Sequence, residues 1–164
     1  VKCTVTQNKL EIIPFVACDW VWCCIPIKNK TFKYDKKWSI NADYKINCVN
    51  LVGSGSINFV NNMILDGERS FVCKIKGPGS IQISNLITTE INIGVSEFGN
   101  IKFINSSCPI SHMLVYNGII ESPVISKSAT CTTIKSGKIN CNTTVSCKVN
   151  KYIDGGGEIN TIHI

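Results

Sequence analysis

Cysteine is the residue type that offers this chain the most chemistry. Ten of the 164 residues are cysteine, an even number and a density typical of secreted, disulfide-bonded domains. Zinc is the competing use, but structural zinc sites need paired ligands at close spacing, and only Cys18 and Cys23 approach one. We therefore expect disulfides and no metal site, with a connectivity that the sequence leaves open. The ten are Cys3, Cys18, Cys23, Cys24, Cys48, Cys73, Cys108, Cys131, Cys141 and Cys147.

Residue patterns for catalysis are weak. His112 follows Ser111, yet a nucleophile and its base meet in space rather than in sequence and need an orienting acid. The 11 carboxylates are scattered and form no visible pair. Gly53–Gly55 and Gly155–Gly157 lack the Lys-Ser/Thr of a phosphate-binding loop, so we interpret both as turns. The sequence indicates a protein that is not an enzyme and that needs no cofactor.

Three N-glycosylation sequons agree with a secretory route. They begin at Asn29, Asn105 and Asn142. An Asn-rich and Thr-rich chain also produces sequons by chance, so their weight comes from the cysteines that accompany them. A glycan at any of the three would mark that position as surface.

Two tryptophans lie between cysteines near the N-terminus. Trp20 and Trp22 share one side of the chain if the segment from Cys18 to Cys23 is extended. Aromatic side chains held by disulfides can contact a partner or a membrane interface. The alternative, which we favour, is a small core that covers a disulfide.

A basic segment follows the tryptophans, and the net charge of the chain is +6. Such a charge attracts polyanions, for example sulfated glycans, although a solvated strand face explains the same pattern. Arginine occurs once, at Arg69, which is poorly suited to bidentate phosphate recognition, and we expect no nucleic-acid partner. The candidate polyanion contacts are Lys28, Lys30, Lys33, Lys36 and Lys37.

The elements that must position these residues are predicted to be strands. Ile, Val and Thr fill 50 positions, and β-branched side chains favour pleated strands. A motif of Gly, any residue and Ile recurs from Gly55, Gly79, Gly99, Gly137 and Gly157. Its spacings of 24, 20, 38 and 20 are too irregular for a solenoid repeat, so we interpret the motif as strands that follow glycine turns. The prediction is a mostly-β, disulfide-rich and β-sandwich-like fold.

Individual segments refine that prediction. Residues 2–6 and 9–15 look like a first strand pair, and alternation places Ile87, Ile91 and Val95 on one strand face. Only residues 110–120 have the pattern of a short helix. We expect one extracellular domain over residues 1–164, with sub-lobes 1–107 and 108–164 as an alternative. No apolar run is long enough for a membrane helix, and we expect the signal peptide and membrane anchor to be missing from this chain.

The order of several motifs resembles the ectodomain of Gn, the smaller envelope glycoprotein of bunyaviruses. Lys37-Trp38 lies about ten residues before Cys48, Ser70-Phe71-Val72-Cys73 follows, and the chain closes with Cys131, Cys141 and Cys147. The stretch from Gly53 to Cys73 is also similar to a part of tospovirus Gn. The resemblance covers most of the chain in patches.

The resemblance implies a role in virus entry. Gn pairs with the larger glycoprotein Gc, a class II fusion protein, shields it, and helps to build the spike on the virion surface and in Golgi membranes. Two alternatives stay open. One is a secreted adhesin or immune-evasion module that binds a host receptor. The other is the fusion protein itself, with Trp20 and Trp22 as a membrane-inserting loop, which liposome flotation of the Trp→Ala variants would test.

Overall fold

The computed structural model describes residues 2–6, 9–13, 47–60 and 70–164, which contain strands and turns and no helix. The mostly-β prediction is confirmed. In chain order the strands are β1 Lys2–Thr6, β2 Lys9–Ile13, β3 Cys48–Val52, β4 Ser56–Val60, β5 Phe71–Lys76, β6 Ser80–Ser84, β7 Glu90–Ser96, β8 Asn100–Ile104, β9 Ser107–Val115, β10 Ile119–Glu121, β11 Val124–Lys135, β12 Lys138–Thr143, β13 Lys148–Gly155 and β14 Glu158–His163.

The strands from β3 onwards stack as the coils of a parallel β-solenoid. Each coil contributes one strand to face A, formed by β3, β5, β7, β9, β11 and β13, and one to face B, formed by β4, β6, β8, β10, β12 and β14. The six coils are numbered here from β3–β4 to β13–β14. At the N-terminal side β2 joins face A in parallel with β3, and β1 pairs antiparallel with β2 as the sequence predicted.

The sandwich-like arrangement is not confirmed. A sandwich packs two antiparallel sheets together, whereas β1–β2 is the single antiparallel pair among the described strands. The rejection of a solenoid repeat was wrong. Gly118 divides the interval of 38 residues between Gly99 and Gly137 into two steps of 19, and Ile120 pairs with both Ile101 and Ile139. Gly118-Ile119-Ile120 fits the Gly-x-Ile motif, and its omission made the spacings look irregular.

A ladder of isoleucines forms the inner wall of face B. These side chains occupy equivalent positions in successive coils, and none is more than 8% exposed. Parallel neighbours lie about 4.8 Å apart, so each isoleucine packs against the one before and the one after it. The ladder consists of Ile57, Ile81, Ile101, Ile120, Ile139 and Ile159.

A short third face, face C, follows face B in the second to fifth coils. It contains 87–88, 107–108, 124–125 and 143–144. Here the chain turns a corner, and this explains why the alternation predicted from Ile87 to Val95 changes phase. Ile91 and Val95 are buried, whereas Ile87 is 47% exposed on face C. The helix predicted over 110–120 was also wrong, because this segment continues β9 and forms β10.

Glycines fill the corner between face A and face B because successive coils approach closely there. A Cβ on Gly99 would lie 2.7 Å from the Ile75 side chain and 2.9 Å from the Gly77 carbonyl oxygen. A Cβ on Gly118 would overlap the carbonyl oxygen of Gly99. The Gly-x-Ile motif is therefore a packing requirement of the stacked corner, and each glycine precedes an inward-facing isoleucine of the ladder.

Candidate functional site

Four of the predicted disulfide cysteines point into the solenoid. Cys73, Cys108, Cys131 and Cys141 are buried in the core, and Cys147 packs against it half-buried; all five are free thiols. The disulfide framework is therefore not confirmed for these residues. Cys48 lies half-buried in β3. Cys3 lies in β1 with its side chain outside the description, and Cys18, Cys23 and Cys24 lie outside the described residues.

Two of these thiols face each other across the fifth coil. Cys131 lies on the inner side of β11 and Cys141 on the inner side of β12. A hydrogen bond from Cys131 to the Cys141 sulfur lowers the pKa of Cys141, and Ser122 and the Lys151 ammonium lower it further. The same hydrogen bond, together with burial, raises the pKa of Cys131.

Lys151 on β13 pairs in register with Cys131 on β11, so its side chain leaves the strand on the same side as that of Cys131. Its ammonium donates to the Ile159 carbonyl oxygen at 3.4 Å, which holds the charge at the sixth coil. A cation there stabilises a thiolate in the coil below. The pKa of Cys108 shifts in the opposite direction. Burial is the main cause and the nearby Cys147 and Cys141 thiols are the second, and together they raise this pKa to about 12.

The Ser111–His112 neighbours do not form a catalytic pair. Ser111 is fully buried inside the solenoid, whereas His112 points outward from the same strand. On that outer side the Nε2 atom of His112 lies 4.0 Å from the Oε1 atom of Glu90, which also accepts a hydrogen bond from Asn92 at 3.0 Å. These groups form an exposed polar contact on the outer side of face A.

The two described sequon asparagines differ in their environment. Asn105 is exposed at a corner after β8, with a φ of 49°. Asn142 is half-buried, its Nδ2 donates to the Ser122 carbonyl oxygen at 2.8 Å, and its backbone N–H donates to the Ser122 hydroxyl at 2.8 Å. Both line one shallow depression of about 360 Å³ beside face C. Asn29 lies outside the described residues.

The remaining binding candidates are not positioned by this structure. Trp20 and Trp22 lie outside the described residues, as do the five lysines proposed for polyanions: Lys28, Lys30, Lys33, Lys36 and Lys37. In the motif Ser70-Phe71-Val72-Cys73, Phe71 and Cys73 are fully buried core positions of β5. Packing inside the stacked coils thus explains why these two positions are Phe and Cys, and no contact with a binding partner is needed to explain them.

An exposed cluster on face A, absent from the sequence predictions, is the clearest surface feature. Leu114, Thr132 and Tyr152 stand side by side on β9, β11 and β13, in register. Tyr116, which directly follows β9, and Ile134 adjoin them two residues further along the chain, on the same outer side. We call these five residues the face A patch. Leu114 is 38%, Tyr116 36% and Tyr152 60% exposed, although each is large and apolar for most of its surface.

Comparisons with protein-family models, with curated proteins and with solved structures give no match. Within the described ranges, no group of three or more His, Cys, Asp or Glu side chains is arranged to hold a metal ion. A search of the same ranges finds no helix of the length and hydropathy required to cross a bilayer. The face A patch and the thiols of the fifth coil are the features from which function can be argued.

Proposed function

We propose that this chain is an extracellular, non-enzymatic binding module whose solenoid displays a docking surface for a partner protein. The observation that carries the proposal is the face A patch. It brings together apolar and tyrosine side chains from three successive coils. Stacked repeats build extended surfaces of this kind, and solenoid proteins use them for binding.

The composition of the patch favours a protein ligand. Tyrosine combines a large apolar ring with a hydroxyl, and it is enriched at protein interfaces. Gly94 adjoins Leu114 on β7 and has no side chain, so one flank of Leu114 is uncovered. Polar groups border the cluster on the strand positions before and after it, namely His112, Asn150 and Asp154. An apolar centre with a polar rim is the common arrangement of a protein interface.

Binding to a panel of cultured cell lines tests this role. A fluorescent tetramer of the chain is expected to stain at least one line, and protease treatment of the cells should abolish the staining. Tyr152→Ser combined with Leu114→Ser should reduce the staining at least about tenfold, as the loss of central contact residues does. Ile119→Ser is the matched control, since Ile119 is similarly exposed, at 40%, but lies on face B.

Two results would contradict the proposal. One is equal staining by the double variant and the wild type, with circular dichroism showing both folded. The other is staining that survives protease but disappears after heparinase, which would favour the sulfated-glycan interpretation of the basic segment.

A spike subunit that pairs with a Gc-like fusion glycoprotein is a more specific form of the same role. Its support is the motif order in the sequence, with virion and Golgi surfaces as the implied location. Co-expression with the chain encoded directly downstream should give a stable heterodimer in size-exclusion chromatography. Recovery of the monomer alone would leave the free-standing adhesin as the better interpretation.

A further inference from the structure

We propose that Cys131 and Cys141 are the partners of an intrachain disulfide that ties face A to face B across the interior of the fifth coil. The proposal concerns the covalent state of the core and does not depend on the binding role. It assigns one specific pair to a modification for which the sequence alone allowed every pairing.

The positions of the two residues carry the assignment. Both side chains are fully buried and point to the same interior from opposite walls. The chain between them turns once, at the Lys135–Gly137 corner, and returns at once along β12. Their thiols are close enough to share a hydrogen bond. A disulfide requires this kind of approach, with the two Cβ atoms directed towards each other.

The other described cysteines fit less well as partners. Cys73 lies in the second coil, three coils away, which at about 4.8 Å per coil is roughly 14 Å and beyond the reach of a disulfide. Cys108 lies on face C near Cys141 and Cys147, but it shares a hydrogen bond with neither, whereas Cys131 shares one with Cys141. Cys147 lies after β12, and its thiol donates to the Lys148 carbonyl oxygen at 3.8 Å rather than to another sulfur.

The surroundings of Cys141 favour its role as the attacking thiolate. The Lys151 ammonium stabilises its negative charge, and the thiolate is the reactive form of cysteine. With glutathione disulfide as oxidant, the Cys141 sulfur attacks one glutathione sulfur and releases a glutathione thiolate. Cys131 then gives up its proton and attacks the Cys141 sulfur, which releases the second glutathione thiolate. Two protein thiols are oxidised, and one glutathione disulfide becomes two glutathione molecules.

Peptide mapping of the intact chain tests the pair. The reduced, folded protein is treated with glutathione disulfide, alkylated, deglycosylated and digested with trypsin. Cleavage after lysine places Cys131 in peptide 128–135, and Cys141 with Cys147 in peptide 139–148. The expected product is a cross-linked species with the mass of both peptides less two hydrogens, plus one alkyl group on Cys147. Its formation from the wild type needs no variant that might fail to fold.

Variants identify which sulfur of peptide 139–148 is joined. The cross-link should persist in Cys147→Ser and disappear in Cys141→Ser, and Cys73→Ser should leave its yield unchanged as the control for loss of a buried thiol. A bridge within peptide 139–148 would mean that Cys141 pairs with Cys147 and would overturn the proposal. Complete alkylation of Cys131 after oxidation and brief denaturation would overturn it equally.

Discussion

Gly118 shows how much a single side chain matters where two coils meet. We expect Gly118→Ala to lower the free energy of unfolding by about 1–3 kcal/mol or more, because the new methyl group would overlap the backbone of Gly99. Urea unfolding followed by circular dichroism measures the change. Gly94→Ala is the matched control: its Cβ would meet only the Lys74 side chain, at 3.5 Å, and alanine should stabilise the strand slightly. Equal destabilisation by both variants would refute the stacking argument.

Lys135 occupies a corner conformation that favours glycine. Its φ is 61°, whereas the equivalent corner residues Gly77 and Gly155 have φ values of 121° and 99°. Relief of this backbone strain should outweigh the entropy cost of glycine, so Lys135→Gly is expected to stabilise the protein by up to about 1 kcal/mol. Thermal unfolding tests it. Lys127→Gly is the control, because Lys127 has no positive φ and should only lose stability.

The two described sequons should differ in glycan occupancy. Asn105 is exposed at its corner, whereas the amide of Asn142 is engaged with the Ser122 carbonyl and half-buried. We expect secretory expression to place a glycan at Asn105 and to leave Asn142 largely unmodified. Asn105→Gln should then abolish one shift in gel mobility on deglycosylation, while Asn142→Gln should not. The opposite pattern would show that the contact with Ser122 does not protect Asn142.

The isoleucine ladder is the main apolar support of face B. At its centre Ile120 is fully buried, and we expect Ile120→Val to cost about 1 kcal/mol and Ile120→Ala about 2–5 kcal/mol in unfolding free energy. Urea unfolding is again the measurement. Ile119→Ala is the matched control, because the neighbouring side chain points outward and is 40% exposed, and its cost should stay within about 0.5 kcal/mol.

Strands were more predictable than the way they associate. The position of β1 and the inward orientation of Ile91 and Val95 follow from alternation, which reports the two sides of a strand. Alternation does not report which strand lies next to which. The solenoid was missed because the unit that begins at Gly118 was left out of the spacings. In that unit Ser122 takes a position that is apolar in most of the other coils. It is tolerated there because its hydroxyl donates to the Pro123 carbonyl and accepts from Asn142.

The thiols and the face A patch show the same limit. Inward positions for Cys131 and Cys141 follow from the alternation of their strands, but their approach depends on the closure of one coil. Leu114 and Tyr152 are 38 residues apart in sequence and join one surface only because Thr132 stands between them in register. A repeat of about 20 residues, once recognised, would have placed all of these residues.

At the level of the whole molecule, stability should vary from coil to coil. Each coil contacts its neighbours alone, and the side chains of the sixth coil are mostly exposed, with Ile153 at 54%. Such stacks open locally at their less supported coils. Hydrogen exchange with mass spectrometry should therefore find the amides of β13 and β14 exchanging faster than those of β7–β10. Uniform protection across these strands would mean that the solenoid opens only as one cooperative unit.

The register of the coils also bears on how the protein is made. Every parallel pairing from β3 onwards joins residues only 17 to 24 positions apart, so a new coil needs no partner that is still to be synthesised. At a synthesis rate of roughly 5–20 residues per second, one coil becomes available every few seconds at most. Each finished coil offers a template edge for the next strand to emerge. The coils can thus fold one after another during synthesis, and the edge strand of the most recent coil is exposed only briefly.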